Sequence, residues 1–138
     1  MSNIETFPRK LSTVVYLAKP VEQQWPDVVD LQTISQQFEG LSSAEAEERL
    51  CRILEALALW LQDTVDAHGA GQFAAMAEPA RRIASAADQI GLCEVVRAAG
   101  HVMICLHQND RVALAAVVAR LERAFDIAVT SVWDNVAF

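Results

Sequence analysis

Apolar residues recur at intervals of three and four along most of the chain after Pro26, which is the spacing of helices with one buried face. The pattern predicts a short helix at about 28–39 and longer helices at about 42–68, 72–90, 92–107 and 111–134. Ser42 and Glu45 have the spacing of a capping box at the start of the second helix. Pro79 should loosen the turn before it in the third helix, and Gly91 should end that helix.

Four long amphipathic helices joined by connections of a few residues predict an all-α fold. The expected arrangement is an antiparallel up-down four-helix bundle with a short additional N-terminal helix, in a domain over residues 27–138. Residues 1–26 are expected to form an irregular N-terminal arm, in which Ser12 to Ala18 is predicted to be either a strand or an extended segment. The predicted core contains Leu54, Leu57, Leu61, Phe73, Ile83, Val96, Met103, Leu106, Leu114, Leu121 and Phe125.

Composition and net charge limit the kinds of molecule that the chain is expected to bind. The chain has 138 residues, 53 % of them apolar, and its net charge of −7 argues against nucleic acid or an anionic membrane as a ligand. No apolar run approaches the roughly 20 residues of a membrane span, and no signal-like segment is recognisable, so a cytoplasmic location is expected. Three cysteines without close pairing favour reduced thiols over a disulfide framework.

Residue patterns typical of enzymes are lacking, and the chain is not expected to be an enzyme or to bind a cofactor. His101 should be exposed on the fourth helix, with Cys105 one turn further on. Two such residues fall short of the three or four converging ligands of a metal site, so metal binding is not expected. His68 and the glutamates after Ser42 are explained by the helix dipole.

The outward face of the third helix is the strongest candidate for a binding surface. Glu78, Arg81, Ser85 and Asp88 share one line of that helix, and Arg82 lies at its edge. Small neighbouring residues leave the surface shallow, so that the arginine can receive an acidic partner. The alternative is an ordinary solvated face with an ion pair between Glu78 and Arg81.

The second half of the chain resembles a histidine-containing phosphotransfer domain, the helical-bundle carrier of bacterial phosphorelays. A linker at Gly71 to Met76 precedes the helical segment Ala80 to Ser85 and the stop at Ala86 to Gly91. Leu92 to Ala99 is similar to the fourth helix of the family, and Asn109-Asp110 is similar to its last turn. The resemblance implies a role in two-component signal transduction.

The chain departs from the family pattern at the residues that carry the chemistry. Counting back from Gly91, the phosphoacceptor position holds Arg81, the lysine position Ala84 and the glycine position Ser85. Arginine has no free nucleophilic lone pair and cannot accept a phosphoryl group as imidazole does. The resemblance therefore implies a surface on the third and second helices that binds a response-regulator receiver domain, or a histidine kinase, without chemistry.

Two alternatives stay open at this level. His101 could have taken over the phosphoacceptor role, although the residue three positions further on is Ile104 rather than a lysine. The chain could instead be an oligomerisation or interaction module, such as a homodimer, unrelated to phosphorelays. Residues 53–61 are apolar around much of the helix circumference, and this feature favours the second alternative.

Overall fold

The computed structural model describes residues 28–135. The N-terminal arm predicted for residues 1–26, including the candidate strand, lies outside the described residues. Within 28–135 the structure is all-helical and contains no strand. A short 3-10 helix, Phe73–Met76, accompanies five α-helices: α1 Leu31–Gln37, α2 Ser43–Gly69, α3 Ala77–Gln89, α4 Cys93–Gln108 and α5 Arg111–Asn135.

Packing follows the order of the helices along the chain. Each long helix packs against the next one, and α2 and α5 also touch, while α1 rests against α3. This arrangement is compatible with a four-helix bundle. Within the described residues, no helix combines the length and the apolar character needed to cross a bilayer.

The predicted start of α2 is confirmed in detail. The Ser42 hydroxyl accepts a hydrogen bond from the Glu45 backbone N–H at 3.2 Å, and the Glu45 carboxylate accepts one from the Ser42 N–H at 3.0 Å. Both bonds satisfy amides that have no partner within the helix. These bonds hold the pKa of Glu45 below its ordinary value, chiefly through the backbone N–H of Ser42.

The helix predicted at 72–90 is divided near Pro79. Its first turn is the 3-10 helix Phe73–Met76, and regular α-helix begins at Ala77. Proline lacks an N–H and its ring crowds the carbonyl four residues back, so the turn before Pro79 cannot be regular α-helix. The prediction of a loosened turn is confirmed, and the α-helical start lies five residues later than expected.

The turn between α3 and α4 is built around Gly91. Leu92 donates to the Ala87 carbonyl at 2.9 Å and Gly91 to the Asp88 carbonyl at 3.2 Å, which is a Schellman motif. Gly91 has a φ of 73°, and a Cβ there would lie 2.8 Å from the backbone oxygen of Asp30. The Asp30 N–H in turn donates to the Gly91 carbonyl at 2.7 Å. Glycine is thus required both by the turn and by the close approach of the segment that begins α1.

The core is continuous through all five helices, but its boundary differs from the predicted one. Of the predicted core residues, Leu54, Leu57, Ile83, Leu114 and Leu121 are buried, whereas Leu61, Phe73, Val96, Met103, Leu106 and Phe125 are half-buried. On α4 the buried face is rotated toward Ala98 and Cys105. Because α4 packs against both α3 and α5, small side chains between the two neighbours are covered and larger ones at the edge are not.

The contact between α2 and α5 leaves an apolar groove. It has a volume of about 290 Å³ and is lined by Cys51, Leu54, Glu55, Ala58, Phe125, Val129 and Trp133. The groove explains why Phe125 is half-buried and Trp133 is 41 % exposed. Leu59, one of the apolar residues 53–61 of α2, is also exposed.

Candidate functional site

The outward face of α3 holds the five predicted site residues together. Glu78, Arg81, Arg82, Ser85 and Asp88 are all exposed and follow one another at helical spacing. The regular helix from Ala77 to Gln89 places them on this face, because Ala80, Ile83 and Ala87 occupy the buried side. All five residues therefore lie on the outward face of α3.

One carboxylate organises the basic residues of this face. Glu78 accepts from Arg81 Nε at 3.2 Å and from Arg81 Nη2 at 2.5 Å, so the two side chains form a two-point pair. It also accepts from Arg82 Nε at 2.9 Å. The bonds from Arg81 and then Arg82 lower the pKa of Glu78 from 4.5 to about 2, and the same pairing raises the pKa of Arg81. At neutral pH the three groups carry one net positive charge.

The pairing changes how Arg81 can meet a partner. A guanidinium presents two edges that can each grip a carboxylate, and Glu78 already occupies the edge formed by Nε and Nη2. Glu78 therefore leaves open the edge formed by Nη1 and Nη2. The sequence spacing suggested the ion pair between Glu78 and Arg81, but it did not show which edge is used.

Arg82 links this surface to α2. Its guanidinium carbon lies 6.0 Å from the centre of the Trp60 ring, at the limit of a cation–π contact. The sequence pattern does not signal this contact, because it places Trp60 only among the apolar residues 53–61. The contact extends the candidate surface from α3 onto α2.

The α3 surface presents two guanidinium groups, a hydroxyl and two carboxylates to solvent. The side chains of Ser85 and Asp88 are exposed and form no hydrogen bond or ion pair with the other described residues. No histidine lies among the five residues, and arginine can donate hydrogen bonds but not attack phosphorus. The arrangement can hold an anionic group through Arg81 and Arg82.

His101 is exposed, as predicted, but it has a partner that the sequence did not reveal. Arg120 on α5 lies with its Nη1 atom 2.5 Å from the Nδ1 atom of His101. Because arginine only donates, Nδ1 must be the acceptor and the ring proton lies on Nε2. The Nδ1 lone pair is therefore directed at Arg120.

Arg120 belongs to a second charged cluster, which joins α4 to α5. Glu94 forms an ion pair with Arg97 on its own helix, and its other carboxylate oxygen lies 3.4 Å from Arg120 Nη2. The spacing of Glu94 and Arg97 could have suggested the first pair. The second joins residues 26 apart in the chain, and no periodicity signals it.

The histidines and cysteines form no metal site in the described part of the chain. No three His, Cys, Asp or Glu side chains in residues 28–135 converge in a way that could hold a metal ion. No disulfide links Cys51, Cys93 and Cys105. The rings of His68 and Phe73 lie 6.0 Å apart at a tilted angle, so His68 packs at the end of α2.

Comparison with family models, curated proteins and solved structures finds no match to this chain. The resemblance to phosphotransfer domains therefore rests on the sequence pattern around Arg81 and Gly91.

Proposed function

We propose that the protein is a pseudo-phosphotransfer domain of a two-component system, which binds a receiver domain without accepting phosphate. The observation that carries the proposal is the exposure of Arg81 at the position where the family pattern has its phosphoacceptor histidine. Arg81 is 62 % exposed at its side chain and lies on a regular helix, so a partner can reach it. Its guanidinium cannot take up a phosphoryl group.

Charge supports a receiver as the partner. The resemblance to phosphotransfer domains implies a receiver domain as the partner, and the phosphorylation pocket of a receiver domain is acidic. The free edge of Arg81, with Arg82 beside it, presents donors to such a pocket, although the chain as a whole carries a net charge of −7. Charge-assisted bonds to arginine are strong contributors when they lie at the centre of an interface.

The topology proposed with this function is an up-down bundle. Only residues 90–92 separate α3 from α4, and residues 109–110 separate α4 from α5. Connections this short favour antiparallel neighbours. We further propose that the domain spans residues 27–138 and acts in the cytoplasm, where it would meet its receiver or a histidine kinase.

The experiment measures phosphate transfer and binding on the same proteins. The full chain is incubated with phosphorylated receiver domains from the same organism, and acid-labile phosphohistidine is then assayed. We expect no label on the chain. Label that disappears in His101→Ala would establish phosphotransfer through that histidine and contradict the proposal.

Binding is measured by calorimetry with the same receivers, using one variant on the surface and one away from it. Arg81→Glu should raise the Kd by about 30-fold or more, because it places a carboxylate against an acidic pocket. Arg123→Glu on α5 is the matched control and should leave the Kd within about twofold. Failure of every receiver to bind, with stable self-association in sedimentation, would favour the oligomerisation module instead.

A further inference from the structure

A cleft between α4 and α5 carries a second concentration of positive charge. Glu94 lies between Arg97 and Arg120, and Arg120 also donates to His101. Arg123, one turn after Arg120, lines the same cleft. Two guanidinium groups thus pair with one carboxylate and a third lines the same cleft, on a chain that is acidic overall.

The four partnered groups hold one another in place. The Glu94 carboxylate is 26 % exposed and Arg120 is 36 % exposed, so this pair is less hydrated than the ion pairs of α3. The ties to Glu94 and His101 use both terminal nitrogens of Arg120, which orients its guanidinium across the two helices. Pre-oriented donors lose little conformational freedom when a further anion binds.

The side chain of Arg123 takes no part in these hydrogen bonds and ion pairs. It is exposed and forms no hydrogen bond or ion pair with the described residues. Its five N–H donors are therefore available to an incoming carboxylate.

The cleft itself is small and largely apolar. Its volume is about 170 Å³, and Val28, Ala124 and Ile127 form its apolar wall. Ligand pockets for small molecules usually measure roughly 300–1,000 Å³, whereas this space suits a single side chain. Ile127 is 56 % exposed, a large apolar side chain beside arginines.

We propose that this cleft is a second docking site, for a segment of a protein partner that carries one apolar anchor side chain flanked by carboxylates. The anchor packs against Ile127 and Ala124, and a neighbouring carboxylate pairs with Arg123. Anchors of this kind, in a pocket with a charged rim, are typical of the residues that dominate protein interfaces. The site includes no residue of α2 or α3, so it does not depend on the proposed function.

The test selects peptides from a random twelve-residue library displayed on phage, using the full chain as bait. Selected sequences should be enriched in Asp or Glu beside Leu, Ile or Phe. Synthetic copies are then titrated by fluorescence anisotropy. Arg123→Glu and Ile127→Asp should each weaken binding at least about tenfold, because one removes the charge and the other the apolar wall.

Matched controls lie on other surfaces. Val112→Asp changes an apolar residue of α5 that is 86 % exposed and lies outside the cleft, and Arg52→Glu changes an exposed arginine of α2. Both should alter affinity by less than about twofold. An empty selection, or peptides insensitive to either cleft variant, would overturn the proposal. Competition by inorganic phosphate together with indifference to Ile127→Asp would also overturn it, because the cleft would then be an anion site only.

Discussion

The two charged surfaces of this protein are built in different ways. On α3, Glu78 pairs with arginines three and four residues further along one helix, and all three side chains are more than half exposed. Between α4 and α5, Arg120 meets Glu94 and His101 across 26 and 19 residues of chain, with Glu94 mostly covered. Helix geometry alone sets the first surface, whereas the second exists only if two helices pack in one register.

A substitution at Gly91 should disturb both charged surfaces at once, because the turn at Gly91 joins α3, which carries the first surface, to α4, which carries part of the second. Gly91→Ala should reduce the free energy of unfolding by more than about 2 kcal/mol, since it combines a left-handed backbone with a clash against Asp30. Gly40→Ala is the control: its φ is 85° but nothing lies within 4 Å, so a loss of about 1 kcal/mol is expected. Urea unfolding measures both, and equal losses would show that the approach of Asp30 is unimportant.

Double-mutant cycles compare the coupling energy of the ion pair within α3 with that of the ion pair between α4 and α5. Replacing Glu94 and Arg120 by Gln, singly and together, should give a coupling of about 0.5–1 kcal/mol at low salt, because the pair is partly desolvated. The same cycle on Glu78 and Arg81 should give the smaller coupling, and 1 M salt should weaken it further. A larger coupling on α3 would contradict the comparison.

The smallest expected effect is the pH dependence of stability that the pairing of Glu78 causes. The folded pKa of Glu78 is about 2, below the ordinary 4.5, so its pairing stabilises the fold fully above pH 4.5. This contribution should disappear as the pH falls from 4.5 to about 2. Glu78→Gln should therefore flatten that part of the stability profile, and so should Arg81→Gln combined with Arg82→Gln. Carbon-13 NMR of the carboxyl group gives the direct measurement, and titration of Glu78 near 4.5 would contradict the pairing.

The elements of the fold that depend on neighbours in sequence were predictable. The capping box of Ser42 and Glu45, the loosened turn before Pro79 and the stop at Gly91 each follow from the conformational limits of single residues. The outward line through Glu78 and Arg81 follows from the helical period in the same way. These features need no knowledge of which helix lies beside which.

The contacts between helices were not predictable. The periodicity of α4 allowed Val96 and Met103 to be fully buried, but packing against both α3 and α5 leaves them half-buried at the edge of the core and buries Ala98 and Cys105. The Trp60–Arg82 and His101–Arg120 contacts join helices whose rotation about their axes the pattern leaves undetermined.

What the sequence determined by itself is therefore the all-helical class, the capped start of α2, the stop at Gly91 and the residues that share the exposed face of α3. The tertiary structure decided how His101 is held and where the cleft of Arg123 and Ile127 lies. The physical reason is the range of the interactions. Backbone geometry and capping act within one or two turns, whereas side-chain pairing between helices requires the burial of an apolar core that sets their distance and rotation.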